Sequence, residues 1–376
     1  MKGLKGLQMD RIYNFSAGPA ALPEAVSNKV KEQVFNYRKR GISVMELVAD
    51  SREYVRLLKD AEVAFRKILD IPMGYKVLFL ETPLAAQYST IPLNLMSDHK
   101  CADYIVTGQA SKEAEREAKK YGDVHIAATS AGAVPIFSTV PRVERSDFRP
   151  DADYVYLCHN DSIYGTKFPT IPDAGNIPLV VDMTSSLLSE PVDFSKIALI
   201  IAGGECNIGV PGMTVVIIRA DLLGDVHAEV PSIMNYKRLI NNRSSDFAPP
   251  ALSLYLAAQV FEWIDSIGGL EEMKRRSEKK ASVLYDFLDG QSQEYYTSST
   301  DKKCRSMTTV IFTTGDAELD RKFIAEAEAE GFINLAGHPS LGGMRASIYN
   351  SMTLEGVTAL VEFMKKFKNE NPRFEV

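Results

Sequence analysis

Short apolar runs rich in β-branched residues recur along the first part of the chain, at Lys76 to Leu80, Tyr104 to Val106, Tyr154 to Leu157, Leu179 to Val181, Ala198 to Ile201 and Val215 to Ile218. Runs this short and this continuously apolar predict strands buried on both faces. Between several of them the apolar spacing becomes helical, over Ser51 to Leu69 and Lys112 to Tyr121. The alternation predicts βαβ units and a largely parallel sheet. After Pro249-Pro250 the pattern changes to long helices, Ala251 to Ser266 and Leu270 to Leu288. A strand at Thr309 to Phe312 and helices over about Ala317 to Glu330 and Leu354 to Phe367 follow. This second part reads as a smaller α+β domain. No repeat, low-complexity tract or long linker interrupts either part.

Composition narrows the class. With 376 residues and 45% hydrophobic content the chain can bury a large core in two or three domains. A formal net charge of −6 argues against a nucleic-acid or acidic-membrane partner. The four cysteines, Cys101, Cys158, Cys206 and Cys304, are far apart with no C-x-x-C pair. There is no secretory signal and no apolar stretch long enough to span a membrane, so reduced thiols in the cytoplasm are expected. Met1 to Gln8 is a short basic extension that reads as a frayed terminus rather than a targeting peptide. No H-E-x-x-H, Walker A loop or G-x-S-x-G is present, and no metal site is expected.

Five separated blocks carry a more specific signal. They are Tyr13-Asn14-Phe15-Ser16-Ala17-Gly18-Pro19-Ala20-Ala21-Leu22-Pro23, Gly41-Ile42-Ser43-Val44-Met45-Glu46, Tyr75 to Leu80, Ala102-Asp103-Tyr104-Ile105-Val106-Thr107-Gly108, and Gly342-Gly343-Met344-Arg345-Ala346-Ser347-Ile348-Tyr349-Asn350. In this order they resemble the phosphoserine aminotransferase family over nearly the whole chain. The resemblance implies the fold-type-I architecture of pyridoxal-phosphate enzymes: a large α/β domain (17–264) with a mostly parallel seven-stranded sheet, and a small α+β domain (1–16 and 265–376). It also implies a cytoplasmic homodimer whose active site draws on both protomers, or a heterodimer with an intact paralogue.

The family's chemistry does not carry over residue by residue. In Gly203-Gly204-Glu205-Cys206-Asn207-Ile208-Gly209, Cys206 occupies the position of the lysine that forms the internal aldimine. That lysine is nucleophile and then proton shuttle, so a thiol removes two roles at once. The glycine-rich phosphate cradle appears here as Glu81-Thr82-Pro83-Leu84-Ala85-Ala86-Gln87, where Pro83 has no N–H and reads as a first-turn helix proline. Ala110 stands in place of the tryptophan that stacks on the cofactor ring, and Phe247-Ala248 in place of the Asn-Thr that crosses the dimer. Two arginines for the phosphorylated substrate correspond to Asp50 and to Pro339, which follows His338.

Some family positions persist. Asp182 matches the acid opposite the pyridinium nitrogen, Ser162 the contact to the ring oxygen, Arg345 the α-carboxylate clamp. Glu205 and His338 stand at cofactor and substrate positions. Each also has a structural reading: an aspartate at a strand end caps the next turn, and an arginine in a packed turn ties elements together. Cys206 reads either as a small buried thiol or as a reactive one beside His159 or His338. The expectation is a family member without covalent pyridoxal phosphate and without transaminase activity, kept as a dimeric scaffold or binding protein. The alternative is a working phosphoserine:2-oxoglutarate aminotransferase with unusual site residues, which would need another lysine, Lys167 or Lys237, at the ring.

Overall fold

A computed structural model of the chain describes residues 12–242, 247–290 and 293–372. The extension at Met1 to Gln8, and with it most of the first segment expected in the small domain, lies outside these residues. The elements run β1 (Tyr13–Asn14), α1 (Glu24–Gln33), α2 (Arg52–Leu69), β2 (Tyr75–Leu80), α3 (Leu84–Leu95), β3 (Cys101–Val106), α4 (Gln109–Ala118), β4 (Asp123–Thr129) and β5 (Tyr154–Cys158). After the short hairpin strands β6 (Asn160–Asp161) and β7 (Thr166–Lys167) come β8 (Leu179–Asp182), β9 (Leu199–Gly203), β10 (Thr214–Arg219), α5 (Tyr236–Asn241), α6 (Ala251–Ser266) and α7 (Gly269–Asp289). The chain finishes with β11 (Thr309–Phe312), α8 (Ala317–Ala329), β12 (Phe332–Ile333), β13 (Met344–Ser347) and α9 (Leu354–Glu370).

Seven strands form one sheet in the order β2-β10-β9-β8-β5-β3-β4. Six of them run in one direction, and β10 runs antiparallel to both of its neighbours, β2 and β9. Side-chain alternation sorts the strands onto two cores: Val155 and Leu157 face one with α2 and α6, while Tyr154 and Tyr156 face the other with α3 and α4. Both faces are covered, which is why these strands read as continuous apolar runs. Helix α2 starts where Ser51 accepts from Tyr54 N, buries Tyr54, Leu57, Ala61, Phe65 and Leu69 at helical spacing, and stops at Asp70 in the left-handed region (φ 51°). A third core, with Phe312, Phe323, Phe332 and Phe363, gathers the C-terminal elements and takes in Phe15 from the N-terminal segment. The parallel pairing of β1 with β12 fixes that return.

Three local expectations need correction. The edge strand β4 was not expected, because Asp123-Val124-His125-Ile126 is largely solvent-facing and pairs on one side only, so it lacks the apolar signal of the central strands. Helix α4 begins at Gln109, earlier than Lys112, because Ser111 Oγ accepts from Gly108 N and starts the turn there. Pro83 is the N-cap of α3, in extended conformation, rather than a residue of its first turn. No helix among the described residues is long and apolar enough to cross a membrane.

Candidate functional site

From β3 the chain moves outward to β4 and then returns to the other side of β3 as β5, so the sheet has a switch point between β3 and β5. Ligands of open α/β sheets bind beyond the carboxyl ends of the strands at such a point. A cavity of about 160 Å³ lies there, and its wall includes Cys158 from the end of β5, Asp182 from the end of β8, and Glu205 and Cys206 just past β9. The hairpin after β5 contributes Asp161 and Ser162, and the first turn of α4 contributes Ala110. Five of the seven residues singled out from sequence thus converge: Asp182, Ser162, Ala110, Glu205 and Cys206. Arg345 and His338 do not line this space.

Cys206 is 6% exposed. Its Sγ donates to the Tyr349 hydroxyl at 3.3 Å and faces Ala17 O at 3.5 Å, while Tyr349 itself donates to Ala17 O at 3.0 Å. Burial, with the Glu205 carboxylate next in weight, pushes the thiol up to about 12, so it stays protonated at neutral pH. The Cys–His pair considered from sequence is not formed. His159 Nδ1 is engaged with Ser186 Oγ at 2.8 Å, and His338 Nδ1 with Ser340 Oγ at 2.7 Å, inside its own turn.

Asp182 is 2% exposed, and its Oδ1 accepts from Thr184 N at 2.9 Å and Thr184 Oγ1 at 2.6 Å. This is the capping role open to a strand-end aspartate. Its Oδ2 faces the hydroxyls of Tyr156 and Tyr88 at 3.4 and 3.5 Å. Burial raises its pKa despite these donors. Glu205 folds back over Gly203, where a Cβ would come within 2.4 Å of Oε2, and burial followed by the Asp182 charge raises its pKa as well. Arg345 is set on β13, and its guanidinium donates to Ser162 O at 3.2 Å, tying the C-terminal elements to the hairpin wall. Lys167 is ion-paired with Glu190, and Lys237 with Asp225 at 2.6 Å, so neither takes the place of a lysine at the cavity.

Asp161 was overlooked from sequence. It is 4% exposed, and its Oδ1 accepts from Ile163 N at 2.8 Å and Tyr164 N at 3.0 Å. Its Oδ2 sits over Gly108, where a Cβ would come within 1.9 Å, and no described residue donates to it. Burial pushes this carboxyl up to about 6. The signal was a turn-forming Asn160-Asp161-Ser162 directly after a buried strand, yet that pattern alone does not reveal which oxygen is left over.

The sheet order and the cavity at its switch point define the class, and the family described as aminotransferase class-V matches residues 12–360. A phosphoserine aminotransferase of Pseudomonas entomophila is 43% identical over 361 residues, 96% of this chain and 99% of that protein. One from Bacillus cereus is 41% identical over 363 residues, 96% of this chain and all of that protein. The solved phosphoserine aminotransferase of Bacillus circulans subsp. alkalophilus superposes with a TM-score of 0.92 at 37% identity, covering 96% of this chain and 99% of that one. A PLP-bound phosphoserine aminotransferase from Trichomonas vaginalis gives 0.88 at 34% identity, covering 94% of this chain and 100% of that one. The chain belongs to the phosphoserine aminotransferase family.

Proposed function

We propose that this chain is a member of the phosphoserine aminotransferase family that no longer transaminates and serves as a dimeric binding protein. The observation that carries this reading is the wall of the cavity, where a protonated thiol stands at the family's lysine position and three carboxylates share the lining with it. Pyridoxal phosphate, when bound, supplies an electron sink for α-carbanions, and the protein must supply a neutral amine and donors for a phosphate dianion. These wall residues do not fit it. Cys206 cannot form the imine, Ala110 offers no ring to stack, and the negative charge of Glu205 opposes a dianion. Incubation with pyridoxal phosphate, borohydride reduction and mass spectrometry should find no pyridoxyl adduct on any lysine. Cys206→Lys alone should restore no turnover of O-phosphoserine with 2-oxoglutarate. A stoichiometric adduct on one lysine of the unaltered chain sinks the reading.

That same adduct would support the other reading, a pyridoxal-phosphate-dependent phosphoserine:2-oxoglutarate aminotransferase with atypical site residues. It is favoured by the 43% identity with the Pseudomonas protein and by the presence of Asp182 and Arg345 at family positions. Assembly belongs to the proposal too: two protomers associate about a two-fold axis, with Phe247 and Ala248 of one helping to close the pocket of the other. Exposed Val48 and Val55, the second on a groove whose apolar floor of Leu58, Val77 and Phe79 is flanked by Lys59, Glu62, Arg66 and Lys76, support such a contact. Sedimentation velocity at micromolar concentration should give a dimer; a species near 41.6 kDa alone speaks against it.

A further inference from the structure

We propose that the cavity at the carboxyl ends of β5, β8 and β9 binds a small organic ammonium ion: a primary amine with a compact apolar body and no phosphate. The inference rests on the reading above that the site has given up its anionic cofactor, and it names what replaces it.

Charge balance leads to this ligand. Asp161, Asp182 and Glu205 all line the cavity, and among the described residues none of the three forms an ion pair. The guanidinium that faces this region, Arg345, donates Nη1 to Ser162 O, leaves its buried Nε without a partner, and acts on Asp161 through its charge without an ion pair to it. A carboxylate buried without a cation is costly, and proteins keep such groups paired. Here no described residue supplies an ion pair, and burial raises the pKa of all three. Asp161 gives the independent sign of a ligand: the residue lines the cavity at 4% exposure, one oxygen accepts from two backbone amides, and the other, beside Gly108, has no donor among the described residues. An ammonium group has three N–H donors and no acceptor, which matches the Asp161 oxygen that no described residue meets.

The rest of the wall limits what else the cation can be. Among the described residues no three His, Cys, Asp or Glu side chains converge as metal ligands, so a bare metal ion does not fit. Ala17, Leu84, Ala110 and Ile163 form an apolar side to the cavity, which suits a hydrocarbon body attached to the amine. A volume of about 160 Å³ is close to the roughly 150 Å³ of an apolar cavity that takes up benzene. The carboxylates repel a phosphate ester of the same amine.

Benzylamine and benzyl alcohol are the test pair, since they share a body and differ in the ammonium. Isothermal titration of the full chain at pH 7.5 should show benzylamine binding at one site per protomer, and benzyl alcohol binding at least about tenfold more weakly, the worth of one charge-assisted hydrogen bond. Asp161→Asn keeps an oxygen for the Ile163 and Tyr164 amides and should weaken benzylamine at least tenfold. Glu205→Gln, at the half-buried rim, should weaken it less and serves as a second variant if the first misfolds. Equal affinity for amine and alcohol, no binding of either, or benzylamine binding unchanged in both folded variants overturns the proposal. Pyridoxal phosphate titrated in parallel separates the two readings. A borohydride-trappable adduct removes the reading on which the inference rests, whereas absence of both adduct and amine binding removes the inference alone.

Discussion

In the N-terminal half of β3 the carboxylate of Asp103 is fully buried and fully met: Arg149 Nε lies 2.7 Å from Oδ1, Arg149 N 2.6 Å from Oδ2, and His125 Nδ1 3.4 Å away. Beyond the opposite end of the same sheet, Asp161, Asp182 and Glu205 line a cavity with no ion pair among the described residues. One sheet therefore buries carboxylates in two ways. Arg149 also reaches Asp123 Oδ2 at 2.6 Å and Ala102 O at 2.8 Å, so its guanidinium stitches the edge strand and the segment before β5 onto β3. The carboxylate at that end is part of the fold's construction. Those at the cavity end are met by amides and hydroxyls but by no ion pair among the described residues. The contrast separates a carboxylate paired within the fold from carboxylates that no ion pair meets among the described residues.

The largest effect should come from breaking the paired end. Asp103→Ala leaves the Arg149 guanidinium, 26% exposed, with the exposed Asp123 as its remaining ion-pair partner, and removal of one member of a buried ion pair typically costs about 3–5 kcal/mol. Urea denaturation should show that loss in the midpoint with little change in slope. A change under about 1 kcal/mol would break the comparison, since Asp103 would then be no better integrated than the cavity carboxylates.

Much of this contrast was hidden in the sequence. The apolar runs gave the central strands, and α6 begins and ends at the expected residues, because a strand covered on both faces and a helix buried almost all round write their burial directly into composition. The edge strand β4 was missed because half of it faces solvent. At the site, motif position was enough to bring Cys206, Glu205, Asp182, Ser162 and Ala110 together, since each follows a strand or opens a helix at the same edge of the sheet. Asp161 and Asp103 are inconspicuous in the sequence, since each sits inside a longer motif with nothing local to mark what meets its charge. A carboxylate's role depends on whether a donor 46 residues away reaches it, as Arg149 reaches Asp103, and no local pattern encodes that.

A smaller effect, opposite in sign, should follow at the unpaired end. Asp161 is held at about 6 in the fold, above its ordinary 3.8, so the folded state binds its proton more tightly than the unfolded chain does. Its contribution therefore favours the fold at low pH and fades as pH rises from about 4 to 6; above 6 the charged carboxylate costs about 3 kcal/mol, the equivalent of two pKa units. Asp182 and Arg345 face this carboxyl, the first raising and the second lowering its pKa, and the amides of Ile163 and Tyr164 hold its Oδ1. His159 works against it in the whole protein: burial holds that imidazole near 3, below its ordinary 6.5, so the unfolded chain takes up its proton first and stability drops as pH falls. Comparing Asp161→Asn with the unaltered chain at each pH cancels the His159 contribution, because both proteins carry it. Without added amine, the variant should be the more stable at pH 8, by about 3 kcal/mol in urea denaturation, and the two should converge as pH approaches 4. A variant less stable at pH 8 would mean that Asp161 is built into the fold as Asp103 is, and the distinction between the two ends of the sheet would fail.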